Sequence, residues 1–218
     1  MQTFGLFNAL GNDAKILCLG AHSDDIEIGC GGILQRLLER NGKLSIDWVV
    51  LNAKGVRERE ARSSAAELVA ARADLTMTVQ QFRNGYFPYI GAEIKDFFET
   101  LKQSRPPDLI LTHCRHDLHQ DHRLVAELTW NTFRDHLILE YEIPKYDGDL
   151  RAPNLFVPLT EQQATAKIEH LLRCFTSQQG KQWFSPDTFR GLLRLRGVEC
   201  NSPTGLAEAF HARKLTVG

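Results

Sequence analysis

Apolar and polar positions along this chain follow two alternating rhythms. Ile16 to Gly20 is an unbroken apolar run that ends at Ala21-His22, and behind it Ile26 to Glu39 sets Ile33, Leu34, Leu37 and Leu38 at helical spacing. That pattern predicts a buried strand, a tight turn and a helix. Leu44 to Leu51, with β-branched Ile46, Val49 and Val50, predicts a second strand, and Glu58 to Ala73, rich in Ala, Arg and Glu, its helix. Leu75 to Phe82 predicts a third strand and Ile90 to Gln103 a third helix. After the break at Pro106-Pro107, Leu109 to Leu111 predicts a fourth strand and Asp121 to Asp135 a fourth helix. Leu137 to Ile143 reads as a fifth strand and Pro144 to Pro153 as a loop. Beyond it, Thr160 to Phe175 and Pro186 to Arg196 read as helices, and Leu206 to Phe210 as a short apolar end. There is no internal repeat and no low-complexity tract.

Strands alternating with helices imply βαβ units, so the expected fold is α/β: a Rossmann-like, doubly wound, mostly parallel sheet with helices on both faces. In such sheets a ligand sits at the carboxyl ends of the strands where strand order reverses. An order 3-2-1-4-5 would make the first and fourth strands neighbours at that point.

At 218 residues, against about 150 per domain, the chain reads as one domain spanning 1–218. Its core is expected over 1–143, with 144–218 an extension that shapes the substrate cleft. With 43% hydrophobic and 24% charged residues, it is no disordered tail or disulfide mini-scaffold. Lys+Arg 26 against Asp+Glu 27 gives a net charge of −1, which offers no global field for nucleic acid or an anionic membrane. A small-molecule partner is expected instead, with neither nucleic acid nor membrane insertion, and a homo-oligomer is left open. Five cysteines, an odd count without a CxxC pair, suggest reduced thiols, and no basic segment leads into an apolar leader. A cytoplasmic protein is the expectation.

Two segments concentrate chemistry, and both fall just past predicted strand ends: Ala21-His22-Ser23-Asp24-Asp25-Ile26-Glu27-Ile28-Gly29-Cys30-Gly31-Gly32, and Thr112-His113-Cys114-Arg115-His116-Asp117-Leu118-His119-Gln120-Asp121-His122-Arg123. A catalytic zinc site takes three protein ligands from imidazoles and carboxylates and leaves a fourth position for water. His22, one of Asp24 and Asp25, and one of His113, His116, His119 and His122 can supply that set. Consecutive aspartates on a tight turn point apart, so one can bind metal while the other serves as general base. Asp at a helix start also serves as an N-cap, which explains one aspartate but not two beside a histidine. Gly29, Gly31 and Gly32 miss the G-x-G-x-x-G spacing of a dinucleotide loop and fit close packing of the first helix on the sheet.

The bland readings cover the rest. His136, His170 and His211 read as surface or packed histidines, and Cys114 as a packing residue. The stretch Lys181 to Arg196, with Trp183, Phe184 and Phe189, fits a sugar platform and an ordinary amphipathic helix equally well.

The pair AHSDDIEIGCGG and DLHQDHR resembles the PIG-L/LmbE-like zinc-dependent N-deacetylases, whose patterns read AHPDDExxxxGG and DxHxDHR. Arg57-Glu58-Arg59-Glu60 is similar to that family's RxxE helix, and Tyr141-Glu142-Ile143-Pro144, Ser177-Gln178 and Ala207-Glu208-Ala209-Phe210 extend the likeness. The resemblance implies Zn2+ held by His22, Asp25 and His122, with Asp24 as general base. It implies that His119 stabilises the oxyanion or protonates the leaving amine, that Asp121 orients His119, and that Arg57 touches substrate. The sequence departs from the pattern at Ser23 and Gln120, where the family has Pro, and at Glu27, one place beyond the usual acidic position.

The implied reaction is removal of the N-acetyl group from an N-acetylglucosamine-type sugar or conjugate, with protonated His119 facing the oxyanion. The alternatives are a metal hydrolase acting on another amide or a phosphate ester, and a catalytically silent metal-binding protein. Asn84 to Gly91 and Tyr146 to Asn154 are the loops expected to select the substrate.

Overall fold

The computed structural model of the protein describes residues 5–40 and 43–216. A short helix α1 (Leu6–Ala9) precedes β1 (Lys15–Gly20) and α2 (Asp25–Leu38), β2 (Ser45–Val50) and α3 (Val56–Val69), and β3 (Asp74–Val79) and α4 (Gly91–Lys102). The chain continues through β4 (Leu109–His113), α5 (Gln120–Thr132), β5 (Ile138–Tyr141), β6 (Leu155–Pro158), α6 (Glu161–Cys174), α7 (Pro186–Glu199) and β7 (Ala207–Ala212).

The strands form one sheet in the order β3-β2-β1-β4-β5-β7-β6. The first five are parallel, in the expected order, and β7 and β6 add antiparallel pairs at one edge. Both faces are covered. Ile16, Cys18, Ile46, Trp48 and Val50 join the core under α2, α3 and α6, while Leu17, Leu19, Val49, Leu51 and Ile110 join the core under α4 and α5. Burial on both faces is why these strands read as continuous apolar runs and not as alternating ones. Among the described residues no helix is long and apolar enough to cross a membrane, and all five cysteines are free thiols.

The departures from the expected elements have local causes. Helix α3 stops at Val69, short of Ala73, because Ala70 and Ala71 take left-handed φ values of 44° and 58°. Helix α5 stops at Thr132, where Phe133 leaves the helical region. The apolar end at Leu206 to Phe210 becomes β7, and β6 pairs with it, although Ala207, Ala209 and Ala212 favour helix by propensity. Pairing with β5 overrides that preference.

Helix α2 carries the first motif and is kinked at Cys30 (φ −144°, ψ 19°). The break in its hydrogen-bond ladder is repaired from the C-terminal part of the chain. The Gly32 and Ile33 amides donate to Glu208 of β7 at 2.6 and 2.7 Å, and Lys167 of α6 donates to the Ile28 carbonyl at 2.6 Å. Lys167 and Glu208 also pair with each other at 2.6 Å, both buried. The glycines permit this approach: a Cβ on Gly32 would lie 2.8 Å from the Glu208 carboxylate, and one on Gly29 would lie 2.1 Å from the Tyr141 ring. Gly31 has no such constraint, its nearest neighbour being Lys167 at 3.6 Å.

Removing one member of a buried, hydrogen-bonded ion pair leaves the other uncompensated, at about 3–5 kcal/mol. Glu208→Ala is therefore expected to lose about that much stability in denaturant unfolding, since it strands Lys167 and two helix amides together. A loss under about 1 kcal/mol would contradict the repair of α2 by Glu208.

Candidate metal centre and active site

The parallel register sets the carboxyl ends of β1 and β4 side by side, so the turn Ala21 to Asp24 meets His113 and the loop after it. Asp24 stands at the N-cap position of α2 but makes no capping hydrogen bond; its Oδ2 is buried without a partner. Capping therefore does not explain this residue. Asp25, in the first turn and 3% exposed, accepts the His22 backbone N–H at 2.6 Å.

Three ligand-type atoms converge. His22 Nδ1 lies 3.1 Å from His122 Nε2 and 3.4 Å from Asp25 Oδ2, and His122 Nε2 lies 3.6 Å from Asp25 Oδ1. A tetrahedral ion about 2.0–2.1 Å from each ligand sets ligands about 3.3 Å apart, so the spacing suits one small divalent ion. The far nitrogen of each imidazole meets a carboxylate: His22 Nε2 lies 3.2 Å from Asp121 Oδ2, and His122 Nδ1 lies 3.0 Å from Asp117 Oδ2. With those carboxylates accepting the ring protons, Nδ1 of His22 and Nε2 of His122 turn bare lone pairs toward each other. Two lone pairs and a carboxylate at this range call for a cation between them.

A proton on His22 is the alternative to an ion at that position, and the surrounding charges favour it. Burial opposes a charge on His22, but Asp25 and Asp121 prevail and raise its pKa to about 10. Burial and the neighbouring His113 push His122 down to about 3. Burial works to raise Asp25, yet His122, His113 and His22 hold it well below the usual carboxylate range. Asp24 moves the other way, raised to about 6 by burial and by the Asp25 charge. Neighbouring aspartates thus have opposite characters, one a fixed anion and one poised to exchange a proton.

Of the four histidines open for the third ligand, His122 is the one converging on His22 and Asp25. His113 Nε2 accepts the Ala21 amide at 3.0 Å, which occupies its lone pair, and His116 is exposed. His119 is the N-cap of α5, its Nδ1 accepting the Asp121 amide at 3.2 Å. Its ring stacks on His122 with centroids 4.4 Å apart. His22, Asp24, Asp25, Arg57, His119 and His122 all line one open cleft of about 930 Å³. Lys181 and Trp183 line it too, whereas Phe184 and Phe189 are core, so the platform segment divides between the two readings.

Two expectations need correction. The Asp121 carboxylate does not orient His119: it holds His22 and accepts the Gly85 and Phe87 amides at 2.6 and 3.1 Å, and only its backbone N–H reaches His119. His119 is also not set up as an imidazolium, because burial and the charge on His22 lower its pKa and its Nδ1 is already an acceptor. The role missed in the sequence is that of Asp117, which orients His122 and is held in turn by Lys145 at 3.0 Å. It is the first residue of DLHQDHR, so the motif contained the signal. His136 and His211 lie outside the centre, while His170, bonded to Ser64 at 2.8 Å, forms a separate cluster with Glu67 and Cys174.

Because Asp121 ties Gly85 and Phe87 to His22, Asp121→Ala should free that loop. Amide hydrogen exchange at Gly85 and Phe87 is expected to accelerate at least tenfold, with core strands unchanged. Unaltered exchange there would mean that other contacts hold the loop.

Comparison with known proteins accords with this geometry. Among curated proteins, the uncharacterized deacetylase YaiS of Escherichia coli is 28% identical over 177 residues, covering 76% of this chain and 93% of that one. Among solved structures, a conserved protein from Thermus thermophilus shares the fold with TM-score 0.73 and 17% identity, covering 94% of this chain and 97% of the other. An N,N'-diacetylchitobiose deacetylase from Pyrococcus horikoshii follows with TM-score 0.65 and 18% identity, covering 91% and 83%. A 4-carboxy-2-hydroxymuconate hydratase, GalB from Pseudomonas putida, has TM-score 0.65 and 16% identity, covering 94% and 98%. The fold thus carries more than one chemistry, and the reaction must be argued from the site. The sequence profile of the PIG-L family, described as GlcNAc-PI de-N-acetylase, matches residues 17–133, more than half of the chain and both motifs, so this protein belongs to the PIG-L family and is an enzyme of deacetylase type.

Proposed function

We propose that the protein hydrolyses the acetamide of an N-acetylglucosamine-type amino sugar or its conjugate, releasing acetate and a free amine, with one Zn2+ held by His22, Asp25 and His122. The observation that carries this is the pairing of two imidazoles, each backed by a carboxylate, with a buried and unpartnered Asp24 at the same end of one open cleft. Zinc in such a site supplies Lewis-acid polarisation of a carbonyl and acidifies water. The nitrogen and carboxylate donors and their spacing fit that ion.

The protein's own residues do the rest. Asp24, with a free Oδ2 and a pKa raised toward 6, takes the proton from the attacking water and returns it to the departing amine. His119 keeps its Nδ1 on the helix amide, so its Nε2–H is the group free to donate to the oxyanion. Asp121 and Asp117 hold His22 and His122 in the ligating tautomer. Arg57 contacts the substrate from the cleft wall, and the rings of Trp183 and Tyr146 offer faces for a sugar. The C-terminal part, 144–218, belongs to the same domain and contributes Tyr146, Lys181 and Trp183 to the cleft. A phosphate ester would need a second metal and more bridging carboxylates than this centre holds. The deacetylase name of the Pyrococcus horikoshii relative, with its N-acetylated sugar, supports the substrate class.

Asp24→Asn is expected to cut amine release from N-acetylated sugars by at least a hundredfold while still binding one equivalent of zinc. Asp25→Ala and His122→Ala should lose the metal itself, read by elemental analysis. Near-wild-type turnover in Asp24→Asn would remove it as the base. The base must be ionised to act, so kcat/KM should rise with pH and level off once pH passes the Asp24 pKa. A metal beside Asp24 can only lower that value, which puts the limb at or below about 6; a limb near 8 would assign the proton to another group.

A further inference from the structure

A second group of metal-type ligands lies outside the catalytic centre, where α3 and α6 end beside each other. His170 and Cys174 stand four positions apart on α6 and so share a face of that helix, and Glu67 of α3 meets them there. Cys174 Sγ lies 3.8 Å from His170 Nδ1 and 3.8 Å from Glu67 Oε2, and His170 Nδ1 lies 3.5 Å from Glu67 Oε1. A tetrahedral ion at zinc distances sets sulfur about 3.6 Å from its partner ligands and nitrogen about 3.3 Å from oxygen, so the three groups already stand within about 0.2 Å of that spacing.

The imidazole is prepared for such an ion. Ser64, fully buried, donates its hydroxyl to Glu27, which leaves its oxygen to accept the His170 Nε2–H at 2.8 Å. Burial favours the neutral ring by lowering its pKa. A neutral ring protonated at Nε2 turns the bare Nδ1 lone pair toward Cys174 and Glu67. The backbone favours a cation at the same place: α3 finishes at Val69 and α6 at Cys174 itself, and a helix C-terminus carries a partial negative charge of about half an electron. Exposed Arg173 pairs with the Glu67 carboxylate too, a surface contact that yields readily to an ion.

We propose that Glu67, His170 and Cys174 form a second metal site, for a borderline-soft divalent ion of the zinc class, which binds independently of the catalytic ion and clamps α3 to α6. Sulfur sets the preference, since a thiolate beside an imidazole selects zinc over hard cations such as magnesium and calcium. As the sulfur–metal bond forms, the thiol proton leaves to water. Three protein ligands, one of them the exposed Glu67, leave a fourth corner to water, so the ion is exchangeable, unlike one closed by four protein ligands. Both clamped helices touch α2: Lys167 of α6 donates to the Ile28 carbonyl, and Ser64 of α3 donates to Glu27. An ion here steadies the two helices on which the catalytic helix leans.

The test reads sulfur, because His22, Asp25 and His122 offer an ion nitrogen and oxygen only. Full-length protein stripped with a chelator is titrated with Co2+. A near-ultraviolet sulfur-to-cobalt charge-transfer band is expected, saturating at one equivalent in His122→Ala, unchanged in Cys200→Ser and lost in Cys174→Ser. The absence of that band, or its survival in Cys174→Ser, overturns the site.

A second measurement leaves the chain unaltered. Saturating zinc should slow alkylation of Cys174 by iodoacetamide at least tenfold, read by peptide mass spectrometry, while the equally half-buried Cys200 reacts at its former rate. Equally fast alkylation of Cys174 with and without zinc would leave a thiol merely hydrogen-bonded to His170 and would overturn the site. The protection should persist in His122→Ala; its loss there would assign the effect to the catalytic ion and overturn a second one. Zinc is also expected to raise the melting temperature of His122→Ala and not that of His122→Ala/Cys174→Ser, and equal shifts in the two would overturn the clamp.

Discussion

A single buried carboxylate organises the upper end of this sheet. Asp25 takes the His22 amide, faces His113 and His122, and stays ionised because three imidazoles surround it. An unneutralised carboxylate in a dry site is among the most expensive things a fold can contain. Its neighbours are therefore not independent choices. His113 lies against it with its Nε2 on the Ala21 amide, His22 and His122 approach it from the other side, and their outer nitrogens need Asp121 and Asp117 in turn. Two segments far apart in sequence become one charge network, and what completes the network is a cation.

Outward from that network, each carboxylate has a second task. Asp121 pins the loop that walls the substrate cleft, and Asp117 gathers Lys145, which also reaches Asp149 in the loop after β5. The shape of the cleft is thus coupled to the protonation and ligation of the histidines beneath it. The core below supports this with ordinary packing: Tyr141 lies against Gly29 and donates to the Leu19 carbonyl at 2.6 Å, closing the floor of the site.

The parallel half of the sheet and its turn-borne chemistry were legible in sequence because they depend on local pattern. Apolar runs followed by amphipathic helices give strand count and order, and a strand count alone brings His22 and His113 to the same crevice. The likeness to a known motif pair then chose His122 where spacing could not. Features set by long-range contact were not legible. β7 is alanine-rich and becomes a strand only because β5 offers it an edge. The partner of Asp121 is His22, ninety-nine positions away, and not the histidine two places before it. A short separation in sequence suggested the wrong pair because the α5 cap turns that carboxylate away from its neighbour.

The repair of helix α2 sets an order of events during synthesis. His22, Asp24 and Asp25 leave the ribosome early, on a helix whose broken turn is held by Lys167 and Glu208. Until those two residues emerge, the Gly32 and Ile33 amides lack their carboxylate acceptor and the Ile28 carbonyl its ammonium donor. The nascent chain can thus assemble its parallel strands while it grows, but its active centre must wait for α6 and β7. A chain ended between α5 and β7 would carry both motifs intact and lack the Glu208 carboxylate that holds the first of them.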